Sequence, residues 1–250
     1  MRLFGLVGYP LSHSFSVKYF TEKFEREGIR DVSYRNFPLL SLEGLLELFQ
    51  EYPALCGLNV TIPYKEKVLA WLDWISPEAL SIGAVNTIRV SRREGKIRLE
   101  GFNTDAPGFR KSLLEQGISH FPKALVLGSG GASRAVRHVL EQLGTEAHLV
   151  SRQAGEGVYA TYSQLSAEDI RAHALIVNTT PLGMFPLVET CPDILYECLD
   201  TRHLLFDLVY NPPATLFLQR GAERGCRVKN GYDMLVYQAE ESWKIFGKDS

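Results

Sequence analysis

Short hydrophobic runs alternate along this chain with longer segments whose apolar positions recur at helical spacing. The runs predict β-strands at Leu3–Val7, Val32–Phe37, Leu55–Thr61, Val85–Val90, Lys96–Phe102, Ala124–Leu127, Ala147–Val150, Leu175–Asn178, Leu204–Val209 and Arg227–Lys229. The predicted helices include Val17–Glu27, a helix capped by Ser41 that runs to Gln50, a helix that starts near Pro63, Ala106–Gln116 and Tyr232–Phe246. Strands that alternate with helices predict parallel sheets with covered faces, so the fold class is α/β.

The pattern divides into two α/β halves, and the boundary falls near residues 104–108. The helix predicted at Ala106–Gln116 leads from the first half directly into the second. Ligands commonly bind in the crevice between two such halves, so we expect the functional site there.

A glycine-rich turn opens the second half. The apolar run Ala124–Leu127 breaks at Gly128, Gly130 and Gly131, and an alanine-rich helical pattern follows. Such glycines let the backbone approach a ligand closely and leave the first amides of the helix unpaired, which suits a phosphate. A tight turn that only packs the helix on the sheet is the alternative, and Ser133 stands where Gly or Ala is usual in a dinucleotide-binding turn.

The end of the next predicted strand distinguishes between the two nicotinamide cofactors. A chain that binds NAD usually has an acidic residue there for the ribose 2′-hydroxyl, whereas this chain has Ser151 and Arg152. A cation at this place favours the 2′-phosphate of NADP.

Composition excludes several classes of protein. The chain has 250 residues, of which 45% are hydrophobic, and a net charge of −2, which does not suggest a nucleic-acid-binding protein. Its cysteines and histidines lack the spacing of a metal site or a disulfide framework, so we expect no metal and reduced thiols, with a disulfide as the alternative. No signal peptide or membrane-spanning stretch is found in the sequence, and the expected location is the cytoplasm.

Polar residues in the first half fall near the predicted ends of strands. Asn59 and Thr61 lie on one side of a strand end, and Lys65 falls in the first turn of the helix predicted from Pro63. A cation there opposes the helix dipole, which suggests a local reason for it, although most lysines are solvated surface groups. Asn86 places an amide in an otherwise apolar strand.

Other polar residues have a plain structural alternative. Ser14 or Ser16 is suited to cap the first helix, and Asp105 before Ala106-Pro107 is a good helix N-cap. If Lys65 and Asp105 act together, the ammonium of Lys65 would stabilise a developing alkoxide and the carboxylate of Asp105 would keep the lysine charged. The sequence does not assign the transferred proton to either residue, because coupled groups titrate as a pair.

Eight segments of the chain together resemble the shikimate dehydrogenase family. They are Gly-x-Pro-x-x-His-Ser-x-Ser at 8–16, Asn-Val-Thr-Ile-Pro-x-Lys at 59–65, Gly-Ala-Val-Asn-Thr at 83–87, Asn-Thr-Asp at 103–105, Gly-Ser-Gly-Gly-Ala-x-Arg at 128–134, Asn-Thr-Thr-Pro-Leu-Gly-Met at 178–184, Asp-Leu-Val-Tyr-Asn-Pro at 207–212 and Asn-Gly-Tyr-Asp-Met-Leu-Val-Tyr-Gln-Ala at 230–239. They occur in order over nearly the whole chain, so the resemblance is specific.

The resemblance implies two α/β domains with an active-site cleft between them. Residues 1–105 plus 233–250 would form the substrate-binding and catalytic domain, and residues 106–232 a Rossmann-type NADP-binding domain. Lys65 and Asp105 would be the catalytic pair. The substrate would contact Ser14, Ser16, Asn59, Thr61, Asn86, Tyr210 and Gln238. The cofactor would contact Gly128, Ser129, Gly130, Gly131, Ala132, Ser151, Arg152, Thr179, Leu208 and Gly231.

The implied activity is the reversible, NADPH-dependent reduction of 3-dehydroshikimate to shikimate in aromatic amino-acid biosynthesis. The family commonly has a second basic residue after the arginine, where this chain has Glu156, so some use of NAD stays open. The alternatives are a sibling oxidoreductase that acts on quinate or another cyclic polyol, with NADP or NAD, and a non-catalytic dinucleotide-binding module. The expected partner is a small-molecule substrate, without nucleic acid or membrane, and the expected assembly is a monomer or homodimer.

Overall fold

The computed structural model of the protein describes residues 1–11, 15–117 and 120–247. The chain forms two compact units, Met1–Thr104 with Ala239–Ser250, and Asp105–Gln238. Each unit contains one six-stranded sheet, and the predicted α/β fold class is confirmed. Among the described helices, none combines the length and the apolar character that a membrane crossing requires.

The sheet of the first unit is mixed. Its strands are β1 (Arg2–Gly8), β2 (Val32–Pro38), β3 (Leu55–Val60), β4 (Trp74–Ile75), β5 (Thr87–Arg93) and β6 (Lys96–Phe102), in the order β2-β1-β3-β5-β6-β4. β1 lies parallel to both β2 and β3, whereas β5 runs antiparallel to β3 and to β6. The predicted hairpin therefore extends an otherwise parallel sheet.

Helices α1 (Phe15–Arg26), α2 (Leu45–Glu51) and α3 (Pro77–Ile82) belong to the first unit, together with the last turns of α8 (Tyr232–Gly247). α1 buries Phe20 and Phe24, which lie four residues apart on one helical face. Phe20 stacks on Tyr34 of β2, with ring centroids 4.4 Å apart, and Phe246 of α8 stacks on Phe4 at 5.0 Å. Aromatic packing thus fixes α1 and the end of α8 on one face of the sheet.

The sheet of the second unit is entirely parallel. Its strands are β7 (Lys123–Leu127), β8 (Glu146–Ser151), β9 (Val158–Thr161), β10 (Leu175–Asn178), β11 (Leu204–Asp207) and β12 (Arg227–Lys229). The strand order is β12-β11-β10-β7-β8-β9, so the chain adds strands first on one side of β7 and then, from β10 onwards, on the other side. This change of side between β7 and β10 is found in dinucleotide-binding Rossmann sheets. The crevice at this reversal is where such sheets bind ligands.

Helices α4 (Asp105–Leu114), α5 (Gly131–Gln142), α6 (Ala167–Ala172) and α7 (Leu216–Glu223) complete the second unit. The sheet is apolar on both faces, and its central residues, such as Leu125, Ile176 and Leu205, are fully buried. Such continuous apolar strands are typical of parallel sheets that helices cover on both sides.

One predicted helix is wrong. The chain after Pro63 forms a turn through Lys65, followed by the 3₁₀ helix Lys67–Trp71, so Lys65 does not lie in the first turn of an α-helix. The reason is tertiary: the carbonyl oxygen of Lys65 accepts a hydrogen bond from the amide of Val85 at 2.7 Å. A helix dipole therefore does not act on this lysine in the way that the sequence predicted.

Two short strands, β4 and β9, were not predicted, because they span only two and four residues. Both lie at the edge of their sheet and are largely or partly exposed. β11 ends at Asp207, two residues earlier than predicted, because the carboxylate of Asp207 accepts a hydrogen bond from the amide of Val209 at 3.0 Å. Asp105 is the first residue of α4 rather than the residue that precedes it.

Candidate active site

The glycine-rich turn joins β7 to α5 at the reversal point of the second sheet. Gly128 has φ +108°, a conformation that favours glycine, and a side chain there would come within 2.9 Å of Thr179 Oγ1. Gly130 precedes α5, and a Cβ at Gly130 would meet no atom within 4 Å. The turn therefore presents open space directly before the first amides of a helix, where an anion is favoured.

Ser133, at the position where Gly or Ala is usual, is accommodated by a local hydrogen bond. It is 2% exposed, and its hydroxyl donates to the carbonyl oxygen of Gly130 at 2.6 Å. The buried hydroxyl thus has a partner, and the departure from the usual pattern leaves the turn intact.

The carboxyl end of β8 lies beside the same turn. The hydroxyl of Ser151 is 3.4 Å from that of Ser129, and Arg152 follows in an exposed loop. Arg137 of α5, which the sequence did not single out, lies next to this loop: a Cβ on Gly157 would be 3.9 Å from its Nη1. A second guanidinium thus lies close to the loop of Arg152. The Nε of Arg137 is buried and has no hydrogen-bond partner among the described residues.

Residues from three strand ends meet behind the turn. Thr179, after β10, donates from its hydroxyl to the carbonyl oxygen of Leu127 at 2.7 Å. Leu208, after β11, donates its amide to Asn178 at 2.9 Å. Gly231 packs so closely on Leu208 that a Cβ there would overlap the Leu208 carbonyl. The second unit thus brings Gly128, Thr179, Leu208 and Gly231 to the carboxyl ends of its strands. Tyr210 follows in the loop after β11 and is half-buried.

The first unit contains a buried polar network, here called the Ser242 network, formed by Tyr34, Asn59, Asn86, Thr87, Thr104 and Ser242. Asn59 is 5% exposed, and its Oδ1 accepts from the hydroxyl of Tyr34 at 2.8 Å. Its Nδ2 lies 2.8 Å from Ser242 Oγ, 3.2 Å from Thr87 Oγ1 and 3.3 Å from the carbonyl oxygen of Asn86. Asn59 therefore holds β3, β5 and α8 together.

Asn86 belongs to the same network. Its Oδ1 accepts from the amide of Thr104 at 2.7 Å and from the hydroxyls of Thr104 and Thr87 at 3.1 and 3.2 Å. The side chain is 2% exposed. Two amides that the sequence placed in separate motifs are thus connected through shared hydroxyl groups.

Ser16 reaches this network from α1. Its hydroxyl donates to the oxygen of Tyr34, while burial, the larger effect, raises the pKa of Tyr34 and keeps the phenol neutral. Ser16 lies inside α1, so it is not the cap of that helix. Ser14, the other serine of the motif, lies outside the described residues.

Thr61 and Lys65 lie beyond the end of β3. The amide of Thr61 donates to the carbonyl oxygen of Val7 at 2.9 Å, and the Thr61 side chain packs where a Cβ on Gly8 would overlap it. The structure thus joins the end of β1 to the segment that carries Thr61. Lys65, four residues further, is half-buried.

Asp105 and Gln238 belong to the second unit, whereas Lys65 belongs to the first. Asp105 is 5% exposed at the start of α4. Gln238 donates from Nε2 to the carbonyl oxygen of Leu235 at 3.0 Å, and its backbone packs on Gly108 of α4. The pairing of Lys65 with Asp105 stays a prediction.

The strand order of the second unit and its open glycine turn define a dinucleotide-binding α/β protein. A family model for the shikimate dehydrogenase substrate binding domain matches residues 6–88. Proteins named shikimate dehydrogenase (NADP(+)) from Carboxydothermus hydrogenoformans and Halothermothrix orenii are 37% and 39% identical to this chain. The first alignment covers 97% of this chain and 91% of the relative, and the second 98% and 90%.

A solved structure gives the same result. The shikimate 5-dehydrogenase of Thermus thermophilus, in complex with NADP(H) and shikimate, is 36% identical with a TM-score of 0.85, and the match covers 99% of this chain and 94% of the other. The chain belongs to the shikimate dehydrogenase family.

Proposed function

We propose that this protein catalyses the reversible, NADPH-dependent reduction of 3-dehydroshikimate to shikimate. The observation that carries the proposal is the similarity, over nearly the full length, to proteins named for this NADP-dependent activity. The chain keeps the residues with which the chemistry would be performed, Lys65 and Asp105. The ranges 1–105 plus 233–250 and 106–232 are proposed as its substrate and cofactor domains.

The residues around the glycine turn fit NADP. Open space at Gly130 and the first amides of α5 suit a pyrophosphate, because those amides point away from the helix and lack intrahelical acceptors. Gly128, Ser129, Gly131 and Ala132 complete this cradle. Ser151, the last residue of β8, and Arg152, directly after it, would bind the adenosine ribose and its 2′-phosphate. When bound, the cofactor supplies the hydride.

Arg152 is proposed to set the preference for NADP over NAD. The Arg152→Ala variant loses one charge-assisted bond to the 2′-phosphate, worth about 1.5–3 kcal/mol, or roughly a ten- to hundredfold loss of NADPH affinity. NADH, which lacks that phosphate, should bind as before. Fluorescence titration with both cofactors measures the ratio of the NADPH and NADH affinities. The matched control is Arg224→Ala, which changes an exposed arginine of the same unit. Equal weakening of both cofactors would exclude this role of Arg152.

The chain's own residues would move the proton. Reduction of a ring ketone creates an alkoxide, and the Lys65 ammonium would stabilise that oxygen and protonate it. The Asp105 carboxylate would orient the lysine and favour its charged form. Neutral donors suit a polyol: Ser14, Ser16, Thr61, Asn86 and Gln238 are proposed to contact the substrate, with Tyr210 close to it. Asn59 is proposed to act there too, supported by its place beside Asn86 in the Ser242 network.

Initial rates with shikimate and with quinate, each with NADP and with NAD, test the proposed activity. Shikimate with NADP should give the highest kcat/KM. A higher value for quinate or NAD would instead support the sibling oxidoreductase, and no turnover with any of the pairs would support a non-catalytic module.

Two substitutions test the catalytic pair. Lys65→Ala should lower kcat by about 10²–10⁴-fold, the usual contribution of a positioned acid or base, and leave NADPH affinity unchanged. Lys67→Ala, an exposed lysine two residues away, is its control. Asp105→Asn removes the charge with almost no change of side-chain shape, so turnover should collapse while the melting temperature stays close to that of the wild type. Near-normal turnover in either variant would remove that residue from the mechanism.

The remaining expectations are proposals of the same kind. A cytoplasmic location is supported by four cysteines that are all free thiols. The assembly is proposed to be a monomer or a homodimer, which light scattering coupled to size-exclusion chromatography distinguishes.

A further inference from the structure

A buried carboxylate, Asp207, lies at the end of β11 and has no role in the proposed chemistry. Its side chain is 0% exposed. Its Oδ1 accepts from the amide of Val209 at 3.0 Å and from Asn178 Nδ2 at 2.9 Å, and its Oδ2 accepts from the hydroxyl of Thr215 at 2.5 Å. All three partners are donors, so the site is built for an acceptor on both oxygens.

These hydrogen bonds connect two loops at the carboxyl ends of β10 and β11. The β10 loop, residues 179–187, is tied to Asp207 through Asn178, whose Oδ1 accepts from the amide and hydroxyl of Thr180 at 3.0 and 2.6 Å. The β11 loop, residues 208–215, is tied to Asp207 through Val209 and Thr215. The loops also bond to each other, because the amide of Phe185 donates to Asn211 at 3.1 Å.

The two loops carry residues of the proposed site. Thr179 belongs to the β10 loop, and Leu208 and Tyr210 belong to the β11 loop. Asp207, itself fully buried, is thus hydrogen-bonded to both segments that carry these residues.

We propose that Asp207 is a positioning residue for cofactor binding: its carboxylate holds the β10 and β11 loops in the conformation in which Thr179, Leu208 and Tyr210 meet NADP. This inference rests on the proposed function.

The charge of Asp207 has a cost for the fold, which argues against a purely structural role. Burial raises its pKa to about 6, although the bonds from Thr215, Val209 and Asn178 lower it. The pKa in the folded protein thus exceeds the ordinary value of 3.8, and the unfolded chain binds fewer protons between these values. Ionisation of Asp207 therefore reduces stability as the pH rises through this interval.

Within the described parts of the chain, no cation forms an ion pair with Asp207. Burial, the largest cause, raises the pKa of Tyr196 and keeps it neutral, and the nearby charge of Asp207 raises it further. Arg220 of α7 lies over the ring of Tyr196, 5.0 Å from its centroid. Lys229 of β12 bonds to Asp233. The carboxylate is thus stabilised by neutral donors, and its charge is held at the expense of stability.

Asp207→Asn tests the role of the charge with little change of shape. The amide oxygen can keep the bonds from Val209 and Asn178, and the amide nitrogen can donate to Thr215, which mimics the protonated acid. We expect NADPH to bind about tenfold more weakly at pH 8 by fluorescence titration, since the three hydrogen bonds are kept but are no longer strengthened by the negative charge. The melting temperature at pH 8 should be unchanged or higher. The wild type should lose more NADPH affinity than the variant as the pH falls through about 6, and the difference between the two profiles reports Asp207, because the 2′-phosphate of NADPH titrates near pH 6 in both.

Two further variants keep the test decisive. Asp193→Asn, an exposed acid of the same unit, should leave affinity and its pH profile unchanged. Thr215→Val keeps the charge but removes a donor that lowers the pKa of Asp207, so the midpoint of the pH profile should move to higher pH.

Several results would overturn the proposal. NADPH affinity of Asp207→Asn equal to the wild type at every pH would do so. A lower melting temperature with matching losses of NADPH and shikimate binding would show a general structural role instead. An unshifted midpoint in Thr215→Val would show that another group titrates. A wild type that does not bind NADPH would refute the proposed function and this inference together, whereas a binding wild type with an unaffected variant refutes only the inference.

Discussion

The Ser242→Ala substitution tests whether the Ser242 network positions the proposed substrate contacts of the first unit. Ser242 is 0% exposed, and its oxygen lies 2.8 Å from Asn59 Nδ2, 2.9 Å from Thr87 Oγ1 and 3.0 Å from Thr104 Oγ1. Alanine removes the acceptor closest to the Asn59 amide. The alternatives for that amide, Thr87 Oγ1 at 3.2 Å and the Asn86 carbonyl oxygen at 3.3 Å, are both longer.

The magnitude follows from this geometry. A buried polar group left without its partner costs about 1–3 kcal/mol of stability. Because the two longer acceptors compensate in part, we expect about 1–2 kcal/mol. For a chain of this size, each kcal/mol lowers the melting temperature by roughly 2–4 °C, so the variant should melt about 2–8 °C below the wild type.

Thermal unfolding and steady-state kinetics together form the assay. The KM for shikimate should rise because Asn59 loses its closest acceptor and the hydroxyls that bond to Asn86, those of Thr87 and Thr104, lose a common partner. NADPH affinity, a property of the other unit, should not change. Ser81→Ala, an exposed serine on helix α3, is the matched control and should be neutral. A melting temperature and shikimate KM equal to those of the control would refute the reasoning, since the network would then carry neither stability nor substrate binding.

Three other outcomes are expected. Gly231→Ala places a Cβ against the Leu208 carbonyl, so it should cost about 1–3 kcal/mol by overpacking and weaken NADPH binding in a fluorescence titration; unchanged affinity would contradict the tight packing. Gly57→Ala overlaps the ring of Phe246 and should lower the melting temperature while leaving NADPH affinity intact. Burial lowers the pKa of His173, so its neutral form contributes stability that is complete above about pH 6.5 and lost as the pH falls through the folded pKa. The free energy of unfolding, measured with denaturant at a series of pH values, should therefore change less with pH for His173→Gln than for the wild type. Parallel curves would exclude this contribution.

Much of the second unit could be predicted from the sequence because its signals are local. The apolar run before Gly128 and the glycines after it specify a strand, a turn and a helix within a few residues, and the structure has β7 and α5 there. An all-parallel sheet requires strands apolar on both faces, which a sequence displays directly. Edge strands such as β9 lack that pattern, so they escaped prediction.

The sequence could not predict how Lys65 is held. The pattern after Pro63 is that of a helix start, yet the Lys65 carbonyl bonds to Val85, which is far along the chain. A hydrogen bond between distant residues depends on how the strands are ordered, and it overrides local propensity when it satisfies a buried group.

The sequence by itself determined the family and the two α/β halves, because motifs in a fixed order survive as local patterns. Only the tertiary structure decided which polar groups of the proposed site bond to one another. It places Asn59 inside a buried network, brings Arg137 of α5 to the loop after Arg152, and makes Asp207 the link between two loops. The physical reason is that buried polar groups must find partners, and those partners come from strands and helices that only the folded chain brings together.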